Sequence, residues 1–148
     1  MSNKLGVNIA SYVIRTFDGR VLAYGPTDGG RGTIPPPPKP VIAYPAGSVQ
    51  PQQFDIGQVE QDSNRYYINY LIERDNLLYE QVTAPQKWII TLVPKPGRVV
   101  FTIAKEGGTD QWVAPPAGEE GQIRVATINS GLDPNALFEI APAILKSS

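Results

Sequence analysis

An aromatic residue followed two positions later by isoleucine recurs along the chain, and six of these triplets fall into two sets that alternate strictly. The first set is Tyr12-Val13-Ile14, Tyr66-Tyr67-Ile68 and Phe101-Thr102-Ile103; the second is Phe54-Asp55-Ile56, Trp88-Ile89-Ile90 and Phe138-Glu139-Ile140. Residues i and i+2 of a strand share a face, so each triplet offers one large apolar pair to a common core. A second-set member is followed by the next first-set member after 12 residues (54 to 66) or 13 (88 to 101), whereas the gaps inside the units are 42, 22 and 37. Constant short links with variable interiors are what loops inserted into a threefold repeat produce. Fifteen prolines and fourteen glycines, spread over the whole chain, leave no room for a long helix.

The interiors follow the same plan. Ser11 to Phe17 reads as a strand closed by Asp18-Gly19, with Val21 to Tyr24 as its hairpin partner. After each first-set triplet come a turn and an apolar pair: Val21-Leu22, Leu77-Leu78 and Trp112-Val113. A third short run follows in each unit: Val41 to Tyr44, Gln81 to Thr83, and Ile123 to Ile128. Four strands per unit and twelve in all predict an all-β chain folded as a β-trefoil, three four-strand repeats forming a six-stranded barrel capped by three hairpins. The repeats span roughly 10–60, 61–95 and 96–145 of a single domain covering residues 1–148. A β-sandwich is the competing arrangement. The triplet aromatics are assigned to the core, whereas Trp112, behind the Gly107-Gly108 turn, is expected to be partly exposed. Asp133 to Leu137, with Pro134 opening a short turn, is the helix-compatible piece.

Several function classes fall away on composition. The chain has no cysteine and no histidine. Disulfides, thiol nucleophiles, histidine bases and the usual zinc ligands are therefore absent, and no metal or cofactor is expected. Enzymes of the common types are disfavoured. Thirteen basic and fourteen acidic residues give a net charge of −1, with no electrostatic footprint for nucleic acid or an anionic membrane. No apolar run approaches the roughly 18 residues of a membrane span. The opening MSNKLGVNIASYV does not read as a secretory signal, which predicts a cytoplasmic protein and leaves secretion by another route open.

One stretch resists the core reading. Residues 26–40, PTDGGRGTIPPPPKP, are glycine-rich on the left and proline-rich on the right, with a single long cation, Arg31, between them. Pro35 to Pro38 stiffen the downstream side toward polyproline II. A segment of that length and composition is an exposed loop, and such loops carry function when a scaffold positions them. The repeat places it in the first unit, between the second and third strands.

Residues 87–125 and 137–143 resemble the β-trefoil serine protease inhibitors of mushrooms, the mycospins. The matching residues are Lys87-Trp88, Val93-Pro94, Gly97-Arg98, Trp112-Val113-Ala114-Pro115 and Gly118-Glu119. They are packing and turn residues and cover about the last sixty positions. The resemblance implies a reversible, cofactor-free inhibitor, not an enzyme, that acts as a monomer and blocks a trypsin- or chymotrypsin-like enzyme through a surface loop. In that family the loop is either the one between the second and third strands or the one between the eleventh and twelfth. Here these are residues 25–40 and 129–136.

In the first loop Gly30, Arg31, Gly32 and Thr33 form the candidate protease-binding segment. A trypsin-like S1 pocket holds a buried carboxylate, and a bidentate arginine is its strongest partner. The second loop, NSGLDPNA, has no basic residue; there Leu132 and Asp133 are the alternative, with Leu132 suited to a chymotrypsin-like pocket. Lys39 and Lys95 are each followed by proline, which is unsuitable for trypsin cleavage. Arg20, in the Asp-Gly hairpin, and Arg98, opening a strand, read as structural.

Two further readings differ in class. Gln86-Lys87-Trp88 matches the Q-x-W of ricin-type carbohydrate-binding trefoils, with Gln52-Gln53-Phe54 a degenerate copy, and Asp18, Asp75 and Asp110 recur near the turns. A lectin would need an aspartate, an exposed aromatic and an Asn or Gln converging in one unit. Turn formation is the plainer role for these aspartates. Finally, Pro35 to Pro38 contain P-x-x-P, an SH3-type ligand core, but neither Arg31 nor Lys39 stands at the usual spacing from it.

Overall fold

A computed structural model of the chain describes residues 6–26, 37–82, 85–128 and 133–143. Four strands come first: β1 (Val7–Thr16), β2 (Val21–Tyr24), β3 (Lys39–Tyr44) and β4 (Gln53–Gln58). Four more follow: β5 (Arg65–Ile68), β6 (Leu71–Arg74), β7 (Leu77–Glu80) and β8 (Trp88–Lys95). The remainder are β9 (Arg98–Lys105), β10 (Asp110–Val113), β11 (Gly121–Gln122), β12 (Arg124–Thr127), a single 3-10 turn at Pro134–Ala136, and β13 (Phe138–Pro142). All pairings are antiparallel.

The all-β class stands, but the β-trefoil of twelve strands in three four-strand repeats does not. The thirteen strands belong to one continuous sheet. Its pairings close a ten-strand antiparallel barrel through β1, β4, β5, β8, β9, β10, β12, β7, β3 and back through β2 to β1. β13 lies between β1 and β9 and pairs with both. The expected hairpin caps are thus not separate modules: β3 pairs with β7, and β7 with β12. One cause is Ile123. Its side chain is fully buried, its N–H donates to the Val41 carbonyl, and its own carbonyl accepts from Leu78. That inward step splits the expected run 123–128 into β11, which pairs with β3, and β12, which pairs with β10 and β7.

The middle third also differs in detail. Asp75 and Asn76 both take left-handed φ, +54° and +65°, and so form a tight turn whose twist suits a hairpin. That turn pairs β6 with β7, so Leu77-Leu78 opens the second strand of a hairpin, and Gln81 and Val82 lie beyond it.

The triplets supply the core with a regular division of labour. In the first set the isoleucine is the fully buried member (Ile14, Ile68, Ile103), while Tyr12, Tyr66 and Phe101 are half-buried. In the second set the aromatic is fully buried (Phe54, Trp88, Phe138). Leu22, Leu71, Leu78 and Trp112 fill the space between them. Trp112 is 0% exposed, not partly exposed as expected, because its ring packs edge-on against Trp88 at 5.5 Å and Phe138 at 5.9 Å. A small satellite cluster of Val93, Val100 and Leu137 packs with Phe17.

Candidate functional site

The loop singled out in the sequence leaves β2 and returns into β3, and its base is well defined. Tyr24 pairs with Val41, and the Gly25 N–H donates to the Pro40 carbonyl at 2.8 Å. Gly25 must be glycine for packing reasons: a Cβ there would lie 2.8 Å from Cγ1 of Ile42. Gly30, Arg31, Gly32 and Thr33 themselves lie outside the described residues.

Beneath that base is a polar knot joining four strands and a turn. The Tyr24 hydroxyl donates to Oε2 of Glu80 at 2.6 Å and accepts from Nδ2 of Asn69 at 3.0 Å. Asn69, itself at φ +44°, accepts the Asp55 N–H through Oδ1 at 2.6 Å. Lys39 sets its ammonium 3.9 Å from Oε1 of Glu80 and 5.6 Å from the centre of the Tyr24 ring. The ring meets Phe54 edge-on at 5.8 Å, which ties the knot to the core. Burial, then the adjacent Glu80 carboxylate, push the Tyr24 phenol well above its ordinary value. The phenol is therefore a fixed donor at any neutral pH. Its hydroxyl does not act as a base; the arrangement is a brace.

The second candidate loop stands elsewhere. Arg124 of β12 pairs with Leu77 at the start of β7, whereas Lys39 pairs with Glu80 at its end. The two loops therefore leave from opposite ends of β7. Leu132 lies outside the described residues. Asp133 is half-buried and caps the 3-10 turn, accepting the Asn135 N–H at 2.9 Å, so its carboxylate is engaged within its own chain.

The other cations are placed as follows. Arg20 is 3% exposed, paired with Asp18 at 2.9 Å, and donates to the Glu119 and Pro116 carbonyls, pinning the 116–119 turn to the first hairpin. Asp18 is raised by burial but lowered overall by hydrogen bonds from Thr16, Arg20 and the Gly118 N–H. Arg98 stacks 3.8 Å from the centre of the Phe17 ring and pairs with Glu139 at 2.6 Å. Lys95 lies 5.5 Å from the same ring.

Among the described residues the sugar-binding reading finds no site. Trp88 is fully buried, with its indole N–H donating to the Leu71 carbonyl, and the Gln86 side chain accepts the Glu73 N–H. Both residues of the Q-x-W are thus spent on packing. Asn76, Asp110, Arg124 and Thr127 line a groove of about 300 Å³ without an aromatic side chain, and Asp110 there accepts from Thr127 at 2.6 Å. Among the described residues no acidic cluster could hold a metal ion, and no helix is long and apolar enough to cross a membrane.

Sequence reasoning missed the Tyr24 knot and the β6–β7 hairpin. The Asp75-Asn76 pair was a legible turn signal for the hairpin. Nothing local announces a contact among residues 24, 39, 69 and 80.

The ends of β2 and β3 are tied to the sheet by these contacts, and the family comparison gives the class. The sequence profile of the family described as Peptidase inhibitor I66 matches residues 33–142. The chain belongs to that family and is a protease inhibitor, not an enzyme. The match opens at Thr33, so it does not include Arg31. Among solved structures, a proteinase inhibitor from Coprinopsis cinerea superposes with a TM-score of 0.72 at 18% identity, covering 93% of this chain and all of that one. Cry35Ab1 superposes with a TM-score of 0.65 at 15% identity, covering 94% of this chain and 38% of that one. No curated protein sequence matches the chain.

Proposed function

We propose that the chain inhibits a serine protease of the trypsin-like type by presenting Arg31 to the S1 pocket in substrate-like fashion. The observation that carries this reading is the brace under the loop. Gly25 and Pro40 are locked by a hydrogen bond, and Tyr24, Lys39, Asn69 and Glu80 hold both stems. Fixed stems reduce the ordering cost of binding, which is the main gain a pre-organised inhibitor has over a flexible peptide. The contact would be reversible, one chain to one protease, burying roughly 800 Å² on each partner.

Inhibition constants against trypsin, chymotrypsin and papain test it. Wild type should act most strongly on trypsin. Arg31→Ala should lose at least ~2 kcal/mol of trypsin affinity, about thirtyfold. Full inhibition by the Arg31→Ala chain would overturn the assignment and move attention to residues 129–136.

A further inference from the structure

Along one edge of β1, β4 pairs as far as Val13 and β2 takes over at Arg15. The chain joining β3 to β4 runs beside this change and is tied there by the Gln52 N–H, which donates to the Leu22 carbonyl at 3.1 Å. Arg15 and Val21 are cross-strand partners, and both point away from the core that takes Ile14 and Leu22. Together with Ser48, Val49, Gln50 and Pro51 they line a groove of about 510 Å³. Val21 is buried in it and Val49 is 37% exposed. The Ser48 hydroxyl donates to the Pro45 carbonyl at 2.7 Å, so its oxygen is left to accept, while the Gln50 amide offers a donor and an acceptor. The charge of this groove is one-sided. Arg15 is half-buried and has no ion pair among the described residues. Its neighbour across β13 is Glu139, but that carboxylate is held by Arg98 at 2.6 Å. No acidic side chain among the described residues lines the groove, whereas the groove that contains Arg124 has Asp110 in its wall.

The geometry points to this groove as a binding site for a carboxylate carried on an extended peptide. The Arg15 guanidinium receives the carboxylate in its planar fork, the contact at which arginine is strongest. A single cation balances a single negative charge, which selects a carboxylate over a doubly charged phosphate. Val21, Val49 and Pro51 give the neighbouring apolar side chain a wall, and Ser48 and Gln50 meet the peptide amides. The groove stands at the start of β2, whereas the loop discussed above leaves from its end, after Tyr24. Its occupancy is therefore independent of the loop reading and leaves both loop stems free.

Three short peptides probe the site by titration into the isotope-labelled full chain, read from the amide shifts of Arg15, Ser48, Val49 and Gln50. The first is alanine-aspartate-valine-alanine, blocked at both ends; the second has asparagine in place of aspartate; the third is alanine-alanine-valine with a free C-terminal carboxylate. The first or third should give saturable shifts at those four amides, and the one that binds more tightly identifies the source of the carboxylate. The asparagine peptide should bind at least tenfold more weakly. Arg15→Gln should weaken the better peptide tenfold or more, and Arg15→Lys severalfold, since an ammonium lacks the fork. Val49→Asp, which sets a carboxylate in the groove wall, should weaken it to a similar extent. Arg124→Gln, the control at an exposed arginine without an ion pair among the described residues, should stay within twofold. Melting temperatures show that each variant folds. No saturable shift with either carboxylate peptide overturns the inference. So does equal binding of the asparagine peptide, or binding that Arg15→Gln and Val49→Asp leave intact.

Discussion

Replacing Tyr24 by phenylalanine removes one oxygen atom and nothing else, which makes it a clean probe of the brace beneath the Arg31 loop. That oxygen makes two hydrogen bonds, one to the Glu80 carboxylate at 2.6 Å and one from Asn69 at 3.0 Å. A hydrogen bond to a charged group contributes roughly 1.5–3 kcal/mol and a neutral one roughly 0.5–1.5. After the change Glu80, whose side chain is 14% exposed, keeps among the described residues only Lys39 at 3.9 Å, and Asn69 loses an acceptor in a partly buried place. Part of the loss is recovered because phenylalanine has no hydroxyl to desolvate. The expected net cost is about 2–3 kcal/mol, which for a domain of this size lowers the melting temperature by roughly 5–10 °C.

The alkaline limb supplies a second reading of the same group. Below pH 10 the Tyr24 phenol keeps its proton in both folded and unfolded chains, and its contribution is constant. Above pH 10 the unfolded phenol ionises while the folded one, with its raised value, does not, so stability falls as the pH rises. Tyr24→Phe should flatten that fall. Urea unfolding at pH 7 and pH 10.5 on both chains gives the two numbers. A stability change below about 0.5 kcal/mol at pH 7, with an unaltered alkaline limb, would refute the account of the brace.

Two further predictions concern the core and the surface. Trp88 and Trp112 are both fully buried and touch each other, yet the Trp88 indole N–H donates to the Leu71 carbonyl at 3.1 Å while that of Trp112 has no partner among the described residues. Trp→Phe deletes the same atoms at both positions, so Trp88→Phe should cost about 1–2 kcal/mol more than Trp112→Phe in urea unfolding; equal costs would argue against it. Glu73 is held below its ordinary value of 4.5 by the Lys105 ammonium at 2.8 Å, then by the Asn76 N–H. Its contribution is present above pH 4.5 and is lost as the pH falls through the lowered value, so Glu73→Gln should be less stable than wild type at pH 7 by about 1 kcal/mol and close to it at pH 3. A constant gap between the two chains from pH 7 to pH 3 would contradict the pairing.

Most strand positions were legible because their signals are local. Each of the six alternating aromatic-x-isoleucine triplets lies on its own strand, and within it the period of two puts both large side chains on one face. Val21 to Tyr24 and Asp133 to Leu137 fell where their turn and proline signals put them, as β2 and the 3-10 turn at Pro134–Ala136. The misreadings share a different character. Ile123 looked like the first residue of a strand, and only its contacts with Val41 and Leu78 explain why the run breaks there. Trp112 looked exposed from the glycines before it, but two aromatic neighbours distant in sequence enclose it.

By itself, then, the order of residues determined the all-β class, the places where the chain turns, the apolar pairs that meet in the core, and the absence of thiol and imidazole chemistry. Those properties depend on dihedral preferences and on side-chain type, which neighbours in the chain decide. Which strands pair across the barrel was a matter for the tertiary structure alone. Pairing β3 with β7 sets Lys39 against Glu80 and brings Tyr24 to the same carboxylate. Such contacts join residues more than forty positions apart, and their free energy exists only once the whole sheet has closed.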